Sequence, residues 1–89
     1  MNRDLTFTQS AWREYLEWQK QDKKIAGKIN ELIKDIQRSP FEGLGKPEPL
    51  KENLAGFWSR EITKKHRIVY KVEKDNIKIV QVENHYSDK

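Results

Sequence analysis

The chain has 89 residues, of which 35% are hydrophobic and 36% are charged, with a formal net charge of +4 at pH 7 and a pI near 9.4. This length predicts one domain, residues 1–89, because a second hydrophobic core has no room. The lack of cysteine excludes disulfides and thiolate metal sites, and two histidines argue against structural zinc, so we expect no metal and no cofactor. The basic charge favours an anionic partner such as nucleic acid or an acidic protein. No apolar segment approaches the ~20 residues that span a bilayer, so we expect a cytoplasmic protein without membrane contact.

The first half of the chain predicts a brief strand at residues 5–7 and then two helices. Aromatic and aliphatic side chains between residues 9 and 20 follow a helical period better than a period of two. Asp22 is the predicted N-cap of a second helix, which should end at Ser39 because the residue before Pro40 is disfavoured in the α region. Its apolar stripe consists of Ile25, Ala26, Ile29, Leu32, Ile33 and Ile36.

The second half predicts a loop and then a sheet. Prolines and glycines make residues 41–53 a loop whose restricted backbone holds its side chains in place. The predicted fold class is α+β, in the order β-α-α-β-β-β, with a helical hairpin packed on one face of a mostly antiparallel twisted sheet. The last strand is apolar at both parities and should therefore be central. The three later strands are predicted at residues 57–63, 66–73 and 77–86.

Strand parity predicts which side chains face away from the helices. Ile68, Tyr70 and Val72 share one face of their strand, and Arg67 shares the other with its alternate neighbours. If the apolar set packs on the helices, Arg67 points to the open face. Parity leaves open whether His85 or Tyr86 faces the same way, because a β-bulge would exchange them.

Three residues on different elements suggest a chemistry. Glu48, Arg67 and His85 combine an acid, a fixed cation and an imidazole, which suits RNA cleavage by internal attack of the 2′-hydroxyl. A base takes the hydroxyl proton, an acid protonates the leaving 5′-oxygen, and a guanidinium stabilises the charge on phosphorus. This scheme needs no metal. Each residue also has an explanation without catalysis. Glu48 can form a solvated ion pair with a neighbouring lysine, Arg67 can be a surface cation, and His85 can cap a strand.

Basic and aromatic side chains around this set predict RNA contacts. Tyr86 and Phe57 can stack on unpaired bases. His66, in a lysine-rich turn, is predicted to be exposed and non-catalytic. The cations expected to hold the RNA backbone are Lys46, Lys51, Arg60, Lys64 and Lys65.

Several runs of this sequence closely resemble the YoeB toxins of the RelE/ParE superfamily, from type II toxin–antitoxin modules. The resemblance covers residues 8 to 86 nearly without gaps, and its most specific block is Gly45-Lys-Pro-Glu-Pro-Leu-Lys51. A final His85-Tyr86 pair is also typical of the family. The other matching runs are Trp12-x-x-Tyr15-Leu-x-Trp18-Gln19, Lys28-Ile-Asn-Glu-Leu-Ile-Lys-Asp35, Pro40-Phe-Glu-Gly43, Gly56-Phe-Trp-Ser-Arg60 and His66-Arg-x-Val-Tyr70.

The resemblance implies a RelE/ParE-like fold and a ribosome-dependent endoribonuclease that cuts mRNA codons in the ribosomal A site and so inhibits translation. By position it implies Glu48 as general base, Arg67 as the phosphate-stabilising cation and His85 as general acid. It also implies that Tyr86 positions the substrate, while Lys46 and Lys51 contact phosphate.

The sequence departs from the family pattern at one position, and the family implies several partners. Many relatives have a second arginine where this chain has Glu61, and the lost cation would weaken RNA or ribosome binding unless Arg60 and Lys64 compensate. The implied partners are mRNA, the ribosome and a YefM-type antitoxin whose disordered acidic tail folds over the toxin. The family further implies a homodimer, and contact with operator DNA only through the antitoxin.

Two other function classes compete with an RNA-cleaving enzyme. One is a ParE-like toxin that binds DNA gyrase without chemistry, which would not need the set formed by Glu48, Arg67 and His85-Tyr86. The other is a small nucleic-acid-binding or operon-regulating module, against which stands the lack of a helix-turn-helix or ribonucleoprotein motif.

Overall fold

The fold places two helices against a sheet whose strands come mostly from the second half of the chain. The computed structural model describes residues 2–84. Within them five strands form one sheet in the order β1-β5-β4-β3-β2, with β1 parallel to β5 and the other pairs antiparallel. The predicted α+β class and helical hairpin are confirmed. The elements are β1 (Asp4–Phe7), α1 (Gln9–Gln21), α2 (Lys23–Arg38), β2 (Glu48–Pro49), a short 3-10 helix (Glu52–Leu54), β3 (Phe57–Glu61), β4 (His66–Val72) and β5 (Asn76–Asn84).

Two polar residues set the ends of the helices. Thr8 begins α1, since its hydroxyl accepts a hydrogen bond from the Ala11 amide at 3.1 Å. Asp22 makes the whole turn between the helices: its amide donates to the Trp18 carbonyl, and its carboxylate accepts the amides of Lys24 and Ile25 at 3.1 Å each. The predicted N-cap at Asp22 is therefore confirmed, and α2 ends at Arg38, with Ser39 as its C-cap directly before Pro40.

The core lies between the helices and one face of the sheet. Ile68 and Tyr70 of β4 are 0% exposed and belong to this core, while Arg67 and Val69 lie on the opposite parity, as predicted. Burying each isoleucine contributes roughly 1.5–3 kcal/mol to the stability of the fold. The core side chains are Ala11, Trp18, Ala26, Ile29, Leu32, Ile33, Ile36, Ile62, Ile68, Tyr70, Ile77, Ile79 and Val82.

A bulge in β5 explains why that strand is apolar at both parities. Val69 pairs with Gln81 and Tyr70 pairs with Ile79, so Val80 is an extra residue opposite this step. The side-chain direction consequently switches, and Ile79 and Val82 both reach the core. The strand lies inside the sheet as predicted, but the mixed parity reflects the bulge.

The segment predicted as a loop between α2 and β3 contains two short elements. The two residues of β2 pair with β3 at the sheet edge, where Pro49 needs no ladder donor, and the 3-10 helix follows. The strand predicted at 57–63 ends at Glu61, because the amides of Ile62 and Thr63 turn toward the His66 carbonyl. Within residues 2–84, neither helix has the length and apolar character that a membrane span requires.

Candidate active site

Glu48 and Arg67 meet on the sheet face that is turned away from the helices. An Nη1 atom of Arg67 lies 3.8 Å from Oε1 of Glu48 and 3.3 Å from Oγ of Ser59. The strand register explains the meeting, because Glu48 pairs with Ser59 and Ser59 pairs with Val69, two residues beyond Arg67. Ser59 is buried, and its small side chain leaves room for the guanidinium to reach across β3.

The Glu48–Arg67 pair is open to solvent and weakly held. The Glu48 side chain is 62% exposed and the Arg67 side chain 31% exposed. Such a surface ion pair contributes about 0–1 kcal/mol, so an incoming anion can displace the carboxylate from the guanidinium. The arrangement offers a carboxylate that can accept a proton beside a cation that can bind a phosphate. Glu48 therefore pairs with Arg67, and not with the lysines next to it in the sequence.

Two of the predicted phosphate-binding lysines flank this pair. Lys46 precedes Glu48 by two residues, and its Nζ, on a side chain that is 86% exposed, lies 3.9 Å from Oε1 of Glu61. The exposed Lys51 lines a cleft of about 400 Å³ together with Glu48. Glu61 thus places a negative charge beside one of the site's lysines.

The other two lysines lie in the turn that leads into β4. Lys64 and Lys65 are exposed, and the Thr63 hydroxyl fixes the turn by accepting the amides of Lys65 and His66 at 3.1 Å each. Phe57 is half-buried at the other end of β3, with the Lys71 ammonium 5.7 Å from its ring centroid. Lys64 and Lys65 therefore remain available to a phosphate backbone.

Arg60 does not fit the role predicted for it. Its side chain is 0% exposed, and its guanidinium lies 2.6 Å from the buried Asp35 carboxylate, so it is enclosed on the helix side of the sheet. Strand parity is the reason: Arg60 alternates with Trp58 and Ile62, which face the core, whereas Ser59 faces the open side. We therefore correct the prediction that Arg60 holds RNA.

His66 also differs from its prediction, since it is half-buried. Its ring packs edge-on against Trp18 with centroids 4.9 Å apart, and its Nδ1 is buried. It lines a cavity of about 370 Å³ beside α1, together with Glu14 and Glu83. Burial, and to a lesser degree the charge of Glu83, raises the pKa of Glu14 although its carboxylate accepts the Val82 amide. This cavity shares no lining residue with the Glu48 cleft.

Two predicted site residues, His85 and Tyr86, lie outside the described residues. Within residues 2–84 there is no group of three or more His, Cys, Asp or Glu side chains that could hold a metal ion. Ser59 is the site residue that the sequence-based prediction missed. The alternation of β3 puts Ser59 on the same face as Phe57 and Glu61, but only the pairing of β3 with β4 brings it beside Arg67.

Comparisons with known proteins identify the family of this chain. The family model described as YoeB-like toxin of bacterial type II toxin-antitoxin system matches residues 7–86. The toxin YoeB of Escherichia coli strain K12 is 57% identical over 82 residues, which are 92% of this chain and 98% of the relative.

Solved structures of similar chains share the fold. A YoeB/ParE toxin from Agrobacterium tumefaciens superposes with a TM-score of 0.91 at 47% identity, covering 93% of this chain and 99% of that chain. YoeB of Staphylococcus aureus matches as a dimer (TM-score 0.88) and in a heterotetrameric complex with YefM (0.87), at 46% identity and over 97% of this chain and 100% of those chains. The chain belongs to the YoeB family of toxins from bacterial type II toxin–antitoxin systems.

Proposed function

We propose that this toxin is a ribosome-dependent endoribonuclease that cleaves mRNA in the ribosomal A site and thereby inhibits translation. The observation that carries the proposal is the 3.8 Å approach of the exposed Glu48 carboxylate to the Arg67 guanidinium on the open face of the sheet. A general base beside a phosphate-binding cation is the pair that internal attack on a phosphodiester requires. Membership in the YoeB family supports the same activity.

The proposed reaction moves protons between side chains and needs no metal ion. Glu48 takes the proton of the 2′-hydroxyl, the 2′-oxygen attacks phosphorus, and the bond to the 5′-oxygen breaks. His85 protonates that leaving oxygen, so the products are a 2′,3′-cyclic phosphate and a 5′-hydroxyl. Arg67 stabilises the extra charge on the phosphate oxygens, and Tyr86 positions the substrate. Each proton transfer is typically worth ~10²–10⁴-fold in rate.

Exposed lysines supply the proposed contacts to the RNA backbone. Lys46 and Lys51 are the nearest to Glu48 along the chain, and Lys64 and Lys65 extend the basic surface toward Arg67. Arg60 has no part in this surface because it is buried. Glu61 lowers the positive charge there through its pair with Lys46.

A gyrase-binding toxin without chemistry is the alternative. Such a binder has no need for a carboxylate and a guanidinium held together at a solvent-facing site. In addition, the family model that matches this chain describes YoeB-like toxins.

The proposed partners follow from the relatives and from charge. A Staphylococcus aureus relative forms a complex with YefM and is also known as a dimer. We propose a YefM-type antitoxin with an acidic tail, a toxin homodimer, and contact with operator DNA only through the antitoxin. Because the proposed substrate is mRNA on the ribosome, we propose that the toxin acts in the cytoplasm.

Primer extension on translating ribosomes tests the proposal. Purified wild-type protein should produce breaks within codons, and Glu48→Gln or His85→Gln should remove the breaks and relieve growth arrest while antitoxin binding persists. Intact mRNA with the wild-type protein, or full toxicity of both variants, would overturn the proposed activity or its acid–base assignment respectively.

A further inference from the structure

We propose that Arg60 is a positioning residue, whose buried guanidinium shapes the loop leading into Glu48 and so sets Glu48 opposite Arg67. The inference rests on the proposed function and adds a residue to it. This loop consists of residues 39–46. The proposal depends on the partners of Arg60, on the close packing of the loop and on its short connection to Glu48.

Every hydrogen-bond donor of Arg60 has a partner inside the protein. A guanidinium carries five N–H donors. The acceptors are Asp35 Oδ2 at 2.6 Å, the Tyr70 hydroxyl at 3.1 Å, and the carbonyl oxygens of Ser39 at 2.6 Å, Glu42 at 2.9 Å and Leu44 at 3.0 Å. Five donors thus meet five acceptors, and three of those acceptors are main-chain groups of one loop.

Two neighbours of Arg60 hold the same loop. The Tyr70 hydroxyl, which accepts from Arg60, donates to the Pro40 carbonyl at 2.7 Å. The Asp35 carboxylate accepts the Leu44 amide at 2.9 Å on the oxygen that also binds Arg60. The loop backbone is therefore tied to the buried network at Ser39, Pro40, Glu42 and Leu44.

The loop packs so closely on this network that two glycines are required. A Cβ at Gly43, where φ is +121°, would lie 2.1 Å from the Asp35 carboxylate. A Cβ at Gly45, where φ is +77°, would lie 3.1 Å from the Glu61 carbonyl. Gly45 also accepts the Glu61 amide at 2.7 Å, which joins the loop to β3.

Only Lys46 and Pro47 separate Gly45 from Glu48. Lys46 has φ +53° and Pro47 has a ring-fixed φ, so this connection has little freedom to absorb a shift of the loop. A displacement of the loop is therefore passed on to the Glu48 carboxylate. A misplacement of about 1 Å in a reacting group can cost ~10²-fold in rate.

Stability alone does not account for this network. A buried ion pair such as Arg60–Asp35 is often replaceable by packed apolar side chains without loss of stability. An apolar side chain cannot bind the three loop carbonyls, however, whereas the planar guanidinium can. The residue type therefore matches the task of shaping the loop.

Arg60→Lys tests the inference because it keeps the charge opposite Asp35 and loses the planar set of five donors. We expect the single-turnover cleavage rate on mRNA-programmed ribosomes to fall at least ~10-fold at saturating protein, with the half-saturating concentration changed less than ~3-fold. In the Glu48→Gln background the same substitution should lower the rate less than ~2-fold, because residues acting as one unit are not additive. Full additivity, or a wild-type rate for Arg60→Lys, would overturn the inference.

Tyr70→Phe is the second variant, in case Arg60→Lys does not fold. It removes only the hydroxyl that links Arg60 to Pro40. Amide hydrogen exchange at Leu44 and Glu61 should become at least ~10-fold faster, while amides in the middle of α2 keep their wild-type rates. Cleavage should slow together with this exchange. A change in exchange without slower cleavage, or slower cleavage without a change in exchange, would contradict the positioning role.

These outcomes separate the inference from the proposed function. If the wild-type protein cleaves no mRNA on ribosomes, both fall together. If the wild-type protein cleaves and Glu48→Gln is slow while both network variants are wild-type, the positioning role alone falls.

Discussion

The Arg67 guanidinium lies 3.8 Å from the Glu48 carboxylate although β4 and β2 are not neighbours in the sheet. The side chain of Arg67 crosses β3 at Ser59, whose hydroxyl it contacts at 3.3 Å. The crossing depends on a small residue at that position. The site is thus assembled across three strands and not within one turn or loop.

Substituting Ser59 tests this crossing. Ser59→Val fills the space below the guanidinium with a branched side chain and should lower the single-turnover cleavage rate at least ~10-fold, because it separates Arg67 from Glu48. Ser59→Ala is the matched control, because it removes the hydrogen bond to Arg67 without filling the space below the guanidinium. Its cleavage rate should stay within ~3-fold of wild type. Equal rates for the two variants would contradict the role of the crossing.

Glu48→Gln tests the general base. The amide keeps the size of the side chain but accepts no proton, so we expect cleavage on programmed ribosomes to slow by ~10²–10⁴-fold. Glu52→Gln is the control, since Glu52 is exposed and lines the same cleft, and its rate should stay within about threefold of wild type. If the two variants are slowed alike, the effect of Glu48 is one of charge and not of proton transfer.

Arg67→Ala should remove stabilisation of the transition state. A lost donor of this kind commonly costs ~10²–10³ in rate, and a reduction of at least ~10-fold is expected in single-turnover cleavage. Lys71→Ala removes a cation from the same strand and parity and should be much milder. An unchanged rate for Arg67→Ala would refute the assigned role.

Glu61→Arg should strengthen ribosome association. The substitution removes the partner of Lys46, 3.9 Å away, and adds a cation beside Arg67, its partner in the β3–β4 register. Each added phosphate contact steepens the dependence of log K on log salt by about 0.7–0.9. Binding titrations at several salt concentrations should give tighter binding and a steeper slope, with Glu61→Gln between the two. Unchanged binding would mean that the charge at position 61 does not affect ribosome association.

Asp35 should make the stability of the fold sensitive to acid. Burial by itself would raise the pKa of Asp35, but hydrogen bonds from the Leu44 amide and from Arg60 and Arg38 outweigh it, so the pKa lies below its ordinary value. The ionised carboxylate therefore stabilises the fold fully above pH ~4, the ordinary range of Asp, and this contribution is lost as the pH falls through the lower folded-state pKa.

Urea unfolding of Asp35→Asn checks this dependence. The variant should lose ~3–5 kcal/mol at pH 7, because Arg60 is left buried without its counter-charge, and its unfolding free energy should fall less steeply in acid. Asp75→Asn, at an exposed position, should stay within ~0.5 kcal/mol of wild type at pH 7. Equal acid slopes for wild type and Asp35→Asn would contradict the argument.

The parts of the fold that depend on local signals were predictable. Thr8 and Asp22 provide side-chain caps next to periodic apolar residues, and Pro40 stops α2, so both helices lie where their sequence patterns put them. The parity of β4 also correctly predicted Arg67 on the open face. These signals act within a few residues of the chain.

The parts that depend on pairing between distant residues were not predictable in the same way. The two-residue β2 is too short to show a period, and the bulge at Val80 exists only in relation to Val69 and Tyr70. The residue type of Arg60 suggests a surface cation, and although the alternation of β3 turns it toward the helices, the acceptors that hold it there are spread over residues 35–70. Such partners become neighbours only when the sheet and the helices meet.

The most direct test of the account is single-turnover cleavage by the purified protein on ribosomes programmed with a defined mRNA, with and without a 2′-deoxy nucleotide at the cut position. The account predicts rapid cleavage of the all-ribose mRNA to a 2′,3′-cyclic phosphate and a 5′-hydroxyl, no cleavage of the 2′-deoxy mRNA, and slow cleavage by Glu48→Gln. Cleavage of the 2′-deoxy mRNA at the wild-type rate, or no cleavage of either mRNA, would contradict it.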